Sequence, residues 1–204
     1  MEKLEKEFYV RDTITVAKEL IGKYLAVKCF DEEMIVRIVE TEGYIGPGDK
    51  ACHAYNNRRT KRTETMYCSG GCAYVYQIYG MHYCFNVVTE KKGVGTAVLI
   101  RSAEPIKGLS RMSYNRYNKK WDQLNDREKM NMVNGPGKLC KALRLDKSFN
   151  GESLFGNRIS IFEIRNNNDF EIEASRRVNI EYSEEARDFM WRFYIKENPY
   201  VSKK

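Results

Sequence analysis

The chain has 204 residues, 42% of them hydrophobic and 12% aromatic, enough for one domain, residues 1–204, with a sizeable core. Its formal net charge of +7 favours a polyanionic partner without establishing one. The opening MEKLEKEFYV is charged from its second residue and no later stretch approaches 18 uncharged apolar residues. Neither a signal peptide nor a membrane contact is therefore expected, and the protein reads as intracellular.

Asp12-Thr13 ahead of ITVAKELIG supplies an N-cap, an apolar stripe and a closing glycine, which predicts a helix over 13–21. Strands follow at Lys23–Phe30 and Met34–Tyr44. The segment Gly46–Gly71 has no sustained period and is rich in Gly, Asn and basic residues, as in a long functional loop. Ala73–Met81 and His82–Val88 form the two arms of a β-hairpin whose tip, Tyr79-Gly80, is flanked by Met81. A further strand is expected at Thr96–Ser102, then a polar helical region from Ala103-Glu104-Pro105 to about residue 132. Asn134-Gly135-Pro136-Gly137-Lys138 opens a helix with proline in its first turn. Two strands, Arg158–Arg165 and Phe170–Ala174, surround the turn-forming residues Asn166 to Asp169. The pattern is that of a mixed α/β (α+β) domain with a mainly antiparallel sheet.

Six cysteines (29, 52, 68, 72, 84 and 140) are expected to stay reduced inside a cell. The closest pair, Cys68 and Cys72, is spaced CxxxC, and the chain has two histidines, so no metal site is expected. The basic residues concentrate in the middle of the chain, in Arg58-Arg59-Thr60-Lys61-Arg62 and from Lys107 to Lys147, whereas seven basic residues face seven acidic ones after residue 170.

A period of two along Met34–Tyr44 puts Val36, Ile38, Glu40, Glu42 and Tyr44 on one face, which begins apolar and ends in two carboxylates and a ring. Either the strand emerges into solvent, with both glutamates as surface charges or arginine partners, or Glu42 sits at a pocket mouth as general base with Tyr44 as a wall. His53 is a candidate second wall or a structural histidine. Tyr74 and Tyr76 share a face of the hairpin, either as core packing or as pocket lining. The exposed ring expected at Tyr79, next to a basic loop, suits a wedge between stacked bases.

Five motifs, IVETEGYIGPGDKACHA (Ile38–Ala54), AYVYQIYGMHYCFNVV (Ala73–Val88), AVLIRSAEPIKG (Ala97–Gly108), NGPGKLCKAL (Asn134–Leu143) and WRFYIKENPYVS (Trp191–Ser202), together resemble the alkyladenine, or 3-methyladenine, DNA glycosylases. The resemblance runs in order over about residues 8–202. It implies a single compact domain around a curved, mainly antiparallel sheet with a protruding hairpin, no metal and no other cofactor. It further implies a monomeric enzyme that flips alkylated or deaminated purines out of double-stranded DNA and hydrolyses the N-glycosidic bond.

By matching motifs, Glu42 takes the place of the general base and Arg101 that of the residue supporting water and carboxylate. Tyr44, His53 and Tyr76 take the places that sandwich the flipped base, and Asn86 the place that crowds the amino group of guanine. Tyr79 takes the place of the wedge, with Met81 beside it. Arg58, Arg62 and Lys138 suit phosphate contacts. Four positions depart from the usual pattern: Asn179 stands for a glycine, Lys61 for a proline, Cys140 for a threonine, and His82 for an aromatic residue.

A base deaminase needs an HxE and a PCxxC zinc site that this sequence lacks, and nothing marks a Schiff-base lysine. A non-catalytic reader of distorted DNA is the competing class, separable by whether free base is released.

Overall fold

The computed structural model describes residues 2–29, 32–164 and 169–203. A two-residue strand β1 (Glu2–Lys3) and a single turn α1 (Lys6–Tyr9) lead into α2 (Thr13–Glu19). The Asp12 side chain caps α2 by accepting from the Thr15 N–H at 2.8 Å. The expected first two strands are β2 (Tyr24–Cys29) and β3 (Glu32–Ile45); Phe30 lies outside the described residues. Residues 46–71 form a loop with two short 3-10 turns, as anticipated. The hairpin is β4 (Ala73–Ile78) and β5 (His82–Val88).

Strand β6 (Thr96–Lys107) runs five residues past the predicted end at Ser102, so Ala103-Glu104-Pro105 continues a strand rather than starting a helix. Proline after a polar pair reads locally as a helix start. Here the pairing with β3 overrides it: Pro105 opposes Val36 while Lys107 opposes Ile35, so Ile106 is an extra residue beside the proline. A bulge is where a sheet tolerates a residue without an N–H. The helical region then comprises α3 (Leu109–Tyr117) and α4 (Asp126–Met130), and α5 (Pro136–Leu143) follows.

Strands β7 (Ile159–Glu163), β8 (Ile172–Ser175) and β9 (Arg192–Ile195) complete the sheet. The two C-terminal strands expected around residues 166–169 do not pair with one another: β7 joins β1 and β2, and β8 joins β9. Of the expected turn, 166–168 lie outside the described residues. Strand β9 was not anticipated, because four residues containing Arg192 give too little alternation to register as a buried strand.

Among the described residues the nine strands form one sheet in the order β1-β7-β2-β3-β6-β5-β4, with β9 on β3 and β8 on β9. The pairs are antiparallel. The 14-residue β3 is its spine. Its first half pairs with β2 and its second half, Glu40–Glu42, with β9, while β6 follows its other edge. The core packs α2, α3 and α5 against this sheet through Val16, Ile38, Phe85, Ile100, Met112 and Leu139, all fully buried.

This packing determines which way the end of β3 points. Thr41 donates to the Ala17 carbonyl of α2 at 2.7 Å, and a Cβ on Gly43 would stand 2.6 Å from Ile14 Cδ1. The helix therefore seals the Thr41–Gly43 face, and Glu40, Glu42 and Tyr44 occupy the other; the expected shared face with Val36 and Ile38 is broken by a bulge at Val39, and those two lie in the main core.

Candidate active site

Glu40 and Glu42 are both completely buried, so the strand does not emerge into solvent and Glu42 is not at a pocket mouth, although both glutamates do pair with arginines. Glu42 instead lies behind the wall of a cavity of about 330 Å³. Three groups that line this cavity also hold the carboxylate. The Tyr44 hydroxyl donates to Oε2 at 2.7 Å, the Val178 N–H donates to Oε1 at 2.8 Å, and Arg101 Nη1 is 3.4 Å from Oε1. Burial first, and then the Glu42 charge, push the Tyr44 phenol well above its ordinary value, so it stays protonated and donates. Burial works against the Arg101 charge, but Glu42 and Glu40 outweigh it and raise its pKa.

Arg101 occupies a special place in the register. Ser102 pairs with Glu40 and Ile100 with Thr41, which leaves Arg101 as the extra residue of a bulge. A bulge re-aims a side chain. The guanidinium thereby reaches Glu40 and Glu42 together.

The aromatic candidates converge on the same cavity: Tyr44, His53, Tyr74 and Tyr76 line it, together with Asn86. His53 and Tyr76 meet edge to face with centroids 4.6 Å apart, and Tyr74 lies 5.3 Å from Tyr76. Rings that hold a base between them stand about 7 Å apart, twice the carbon contact distance. His53 and Tyr76 thus form a corner, and a base stacked between those two requires His53 to turn. The imidazole Nδ1 is 3.0 Å from the Tyr74 hydroxyl. Burial, aided by the charges of Arg62 and Arg58, lowers the His53 pKa from 6.5 to about 4, so the ring is neutral at pH 7. Asn86 is buried and donates to the Tyr74 carbonyl at 3.0 Å, which fixes its amide at the cavity wall.

Tyr79 and Met81 stand at the hairpin tip with 86% and 71% of their surface exposed. Tyr79 has φ 50° and Gly80 φ 68°, and the Met81 N–H returns to the Ile78 carbonyl at 3.2 Å. These positive angles match the type I′ turn, which suits the twist of a hairpin. Arg58 and Arg62 are exposed on the loop beside the cavity. The Arg62 guanidinium lies 5.2 Å from the Tyr76 centroid and 3.5 Å from His53 Nε2, so it sits on the cavity rim. Lys138, in the first turn of α5, is half-buried and donates to Asn131 and Asn134 at 2.6 and 2.8 Å.

Sequence reading missed a second buried arrangement. Arg177 makes a two-pronged pair with Asp49 at 2.5 and 2.7 Å and donates to the Gly43 carbonyl at 2.9 Å. Its guanidinium stacks 4.7 Å from the Tyr44 centroid and 5.2 Å from that of Trp191. Tyr44 is thus held from behind. The neighbouring Asn179 has φ 60°, a left-handed conformation that asparagine tolerates best among residues with a side chain, which explains how it stands for a glycine. Tyr182, 72% exposed, also lines the cavity and went unnoticed. The available signals were the Arg176-Arg177 pair ahead of VNI and an aspartate in the GPGD turn.

A desolvated carboxylate thus lies behind an aromatic cavity, beside an exposed ring and a basic loop. A family model described as Methylpurine-DNA glycosylase (MPG) matches residues 7–199. The chain is 50% identical to a protein of Clostridium novyi (strain NT) and 48% identical to one of Desulfitobacterium hafniense (strain Y51), in both cases over the whole of both chains. Each is named "Putative 3-methyladenine DNA glycosylase". The chain belongs to the methylpurine-DNA glycosylase family, hydrolases of N-glycosyl bonds. No helix among the described residues is long and apolar enough to cross a membrane.

Proposed function

We propose that this protein works inside the cell as a single-domain monomer on duplex DNA, flipping damaged purines into the cavity and releasing them with a water activated by Glu42. The substrate range includes 3-methyladenine and 7-methylguanine, and extends to hypoxanthine and ethenoadenine. The observation that carries this reading is the complete burial of Glu42 among groups that line an aromatic cavity.

A carboxylate offers about four lone-pair positions. The Tyr44 hydroxyl occupies one on Oε2 and the Val178 N–H one on Oε1, while Arg101 stands 3.4 Å from Oε1, which leaves room for an attacking water. Glu42 takes the water's proton as the bond forms at the sugar carbon, and its charge stabilises the oxocarbenium-like sugar. The leaving purine carries away the electrons of the broken bond, which is easy when alkylation has made the ring cationic. Electron-rich rings bind such a cation at about 0.5–2 kcal/mol each. A neutral His53 does not repel it. Asn86, held rigid by its own hydrogen bond, crowds an amino group that guanine has and adenine and hypoxanthine lack at that edge. Arg58, Arg62 and Lys138 meet the phosphates, and Tyr79 with Met81 fills the space vacated by the flipped nucleotide.

The test is release of free base from duplexes carrying hypoxanthine or 7-methylguanine, with no added metal or cofactor. Wild-type protein is expected to release base. Glu42→Gln is expected to bind the lesion duplex normally and to lose at least about 100-fold in single-turnover excision, the scale of a lost general base. Binding without release by the wild type defeats the enzymatic reading, and near-normal excision by the variant removes Glu42 from the chemistry.

A further inference from the structure

A guanidinium beside a buried carboxylate ordinarily closes on it in a two-pronged fork with contacts of about 2.7–2.9 Å. Arg101 does not close on Glu42 in this way: its nearest approach is 3.4 Å. The reason lies on its other side. Arg101 Nε donates to Glu40 Oε1 at 3.2 Å, and its Nε and Nη2 both reach Ser202 Oγ at 3.3 Å.

Glu40 is itself anchored from three elements. Arg192 Nε of β9 donates to the same Oε1 at 2.7 Å, and the Ser202 N–H of the C-terminal segment donates to Oε2 at 2.7 Å. Arg192 in turn donates to the Lys203 carbonyl, and Ser102 to that of Tyr200, which fastens the segment down. A fully buried charge with so many partners is a fixed point.

We propose that Glu40, with Ser202, is a positioning residue that holds Arg101 back from Glu42, so that the Glu42 carboxylate keeps the basicity needed to take a proton from water. This rests on the reading of Glu42 as general base. A fully forked Arg101 would stabilise the Glu42 anion and make it a poorer base. Other charged or titratable groups around Glu42 are Tyr44 on its own strand, Arg192 opposite it on β9, Arg177 and Tyr182 from the segment between β8 and β9, and Cys84 on β5.

Glu40→Gln keeps the shape and an accepting oxygen while removing the charge. The readout is single-turnover release of 7-methylguanine, a cationic leaving group with no proton of its own to gain, measured across pH beside lesion-duplex affinity. The variant is expected to lose up to about tenfold in rate at neutral pH, since rate follows base strength with a slope below one. Its affinity should be unchanged, and the acidic limb of its profile should move down by about one pH unit, through the loss of the Glu40 charge together with closure of Arg101 on Glu42. An unchanged rate, or a lower rate with the acidic limb in place, overturns the proposal.

Ser202→Ala separates the two causes, and carries the test alone if Glu40→Gln does not fold, since it removes the hydroxyl contact to Arg101 and leaves the Glu40 charge in place. A smaller downward movement of the limb supports the proposal, and an unmoved limb overturns it. Normal excision by Glu42→Gln would instead overturn the underlying reading of the base. That outcome is distinct from an inactive Glu42→Gln alongside an unmoved limb in Glu40→Gln.

Discussion

His53 shows how one side chain ties the pocket to folding. Its imidazole is held neutral by burial and by the arginines above it, with a folded-state pKa of about 4 against 6.5 ordinarily. Between these two values the unfolded chain binds the extra proton, so stability rises with pH there. The contribution is complete above about pH 6.5 and is lost as pH falls through about 4. His53→Gln is expected to flatten the dependence of unfolding free energy on pH across this window. Urea titrations at several pH values check it, and an unaltered slope would remove His53 as the source. Tyr44 takes the opposite part: its proton is locked in place by burial and by Glu42.

At the scale of elements, the hairpin carries an unusual cost. An aromatic residue with φ 50° is strained by about 1–2 kcal/mol, and glycine there would not be. A Cβ added even at the adjacent Gly80 would meet nothing within 4 Å, so the tip makes little packing contact of its own. The ring is therefore of no use to the free protein. Tyr79→Gly is expected to leave the melting temperature unchanged or slightly raised. It should shift base flipping toward the stacked state by about 1–3 kcal/mol, the worth of one base–aromatic stack. Fluorescence of a reporter base at the lesion, beside thermal unfolding, measures both. A clear fall in stability with normal flipping would sink the wedge.

For the whole molecule, the net charge of +7 is unevenly spread, and Arg58 and Arg62 stand exposed beside the cavity. Phosphate contacts release counterions, so affinity for duplex falls with salt in proportion to their number. The double variant Arg58→Gln, Arg62→Gln is expected to weaken binding to damaged and intact duplex alike. It should also flatten the plot of log affinity against log salt by about one unit per lost contact. A slope equal to wild type would mean that these side chains stay on the rim and do not meet phosphates.

The sequence by itself determined whatever depends on neighbours along the chain. Alternation along β3 put Glu42 and Tyr44 on one face, the YG pair marked the hairpin tip, and capping signals placed α2 and α5 within about two residues. Motif order carried the family. Tertiary structure decided the rest, because the deciding contacts join residues far apart. Arg101 meets Glu40 across 61 positions, Arg192 across 152, Ser202 across 162, and Arg177 meets Asp49 across 128. No local period encodes such pairs. A lone arginine in a strand looks like surface charge until the opposite carboxylate is brought to it. The same holds for Pro105, whose helix signal yields to the pairing of the twelve-residue β6 with β3. Burial of Glu42 also belongs to this class: Tyr44, Arg101 and the backbone at Val178 close over its face and β9 covers its edge, and only their meeting removes the carboxylate from water.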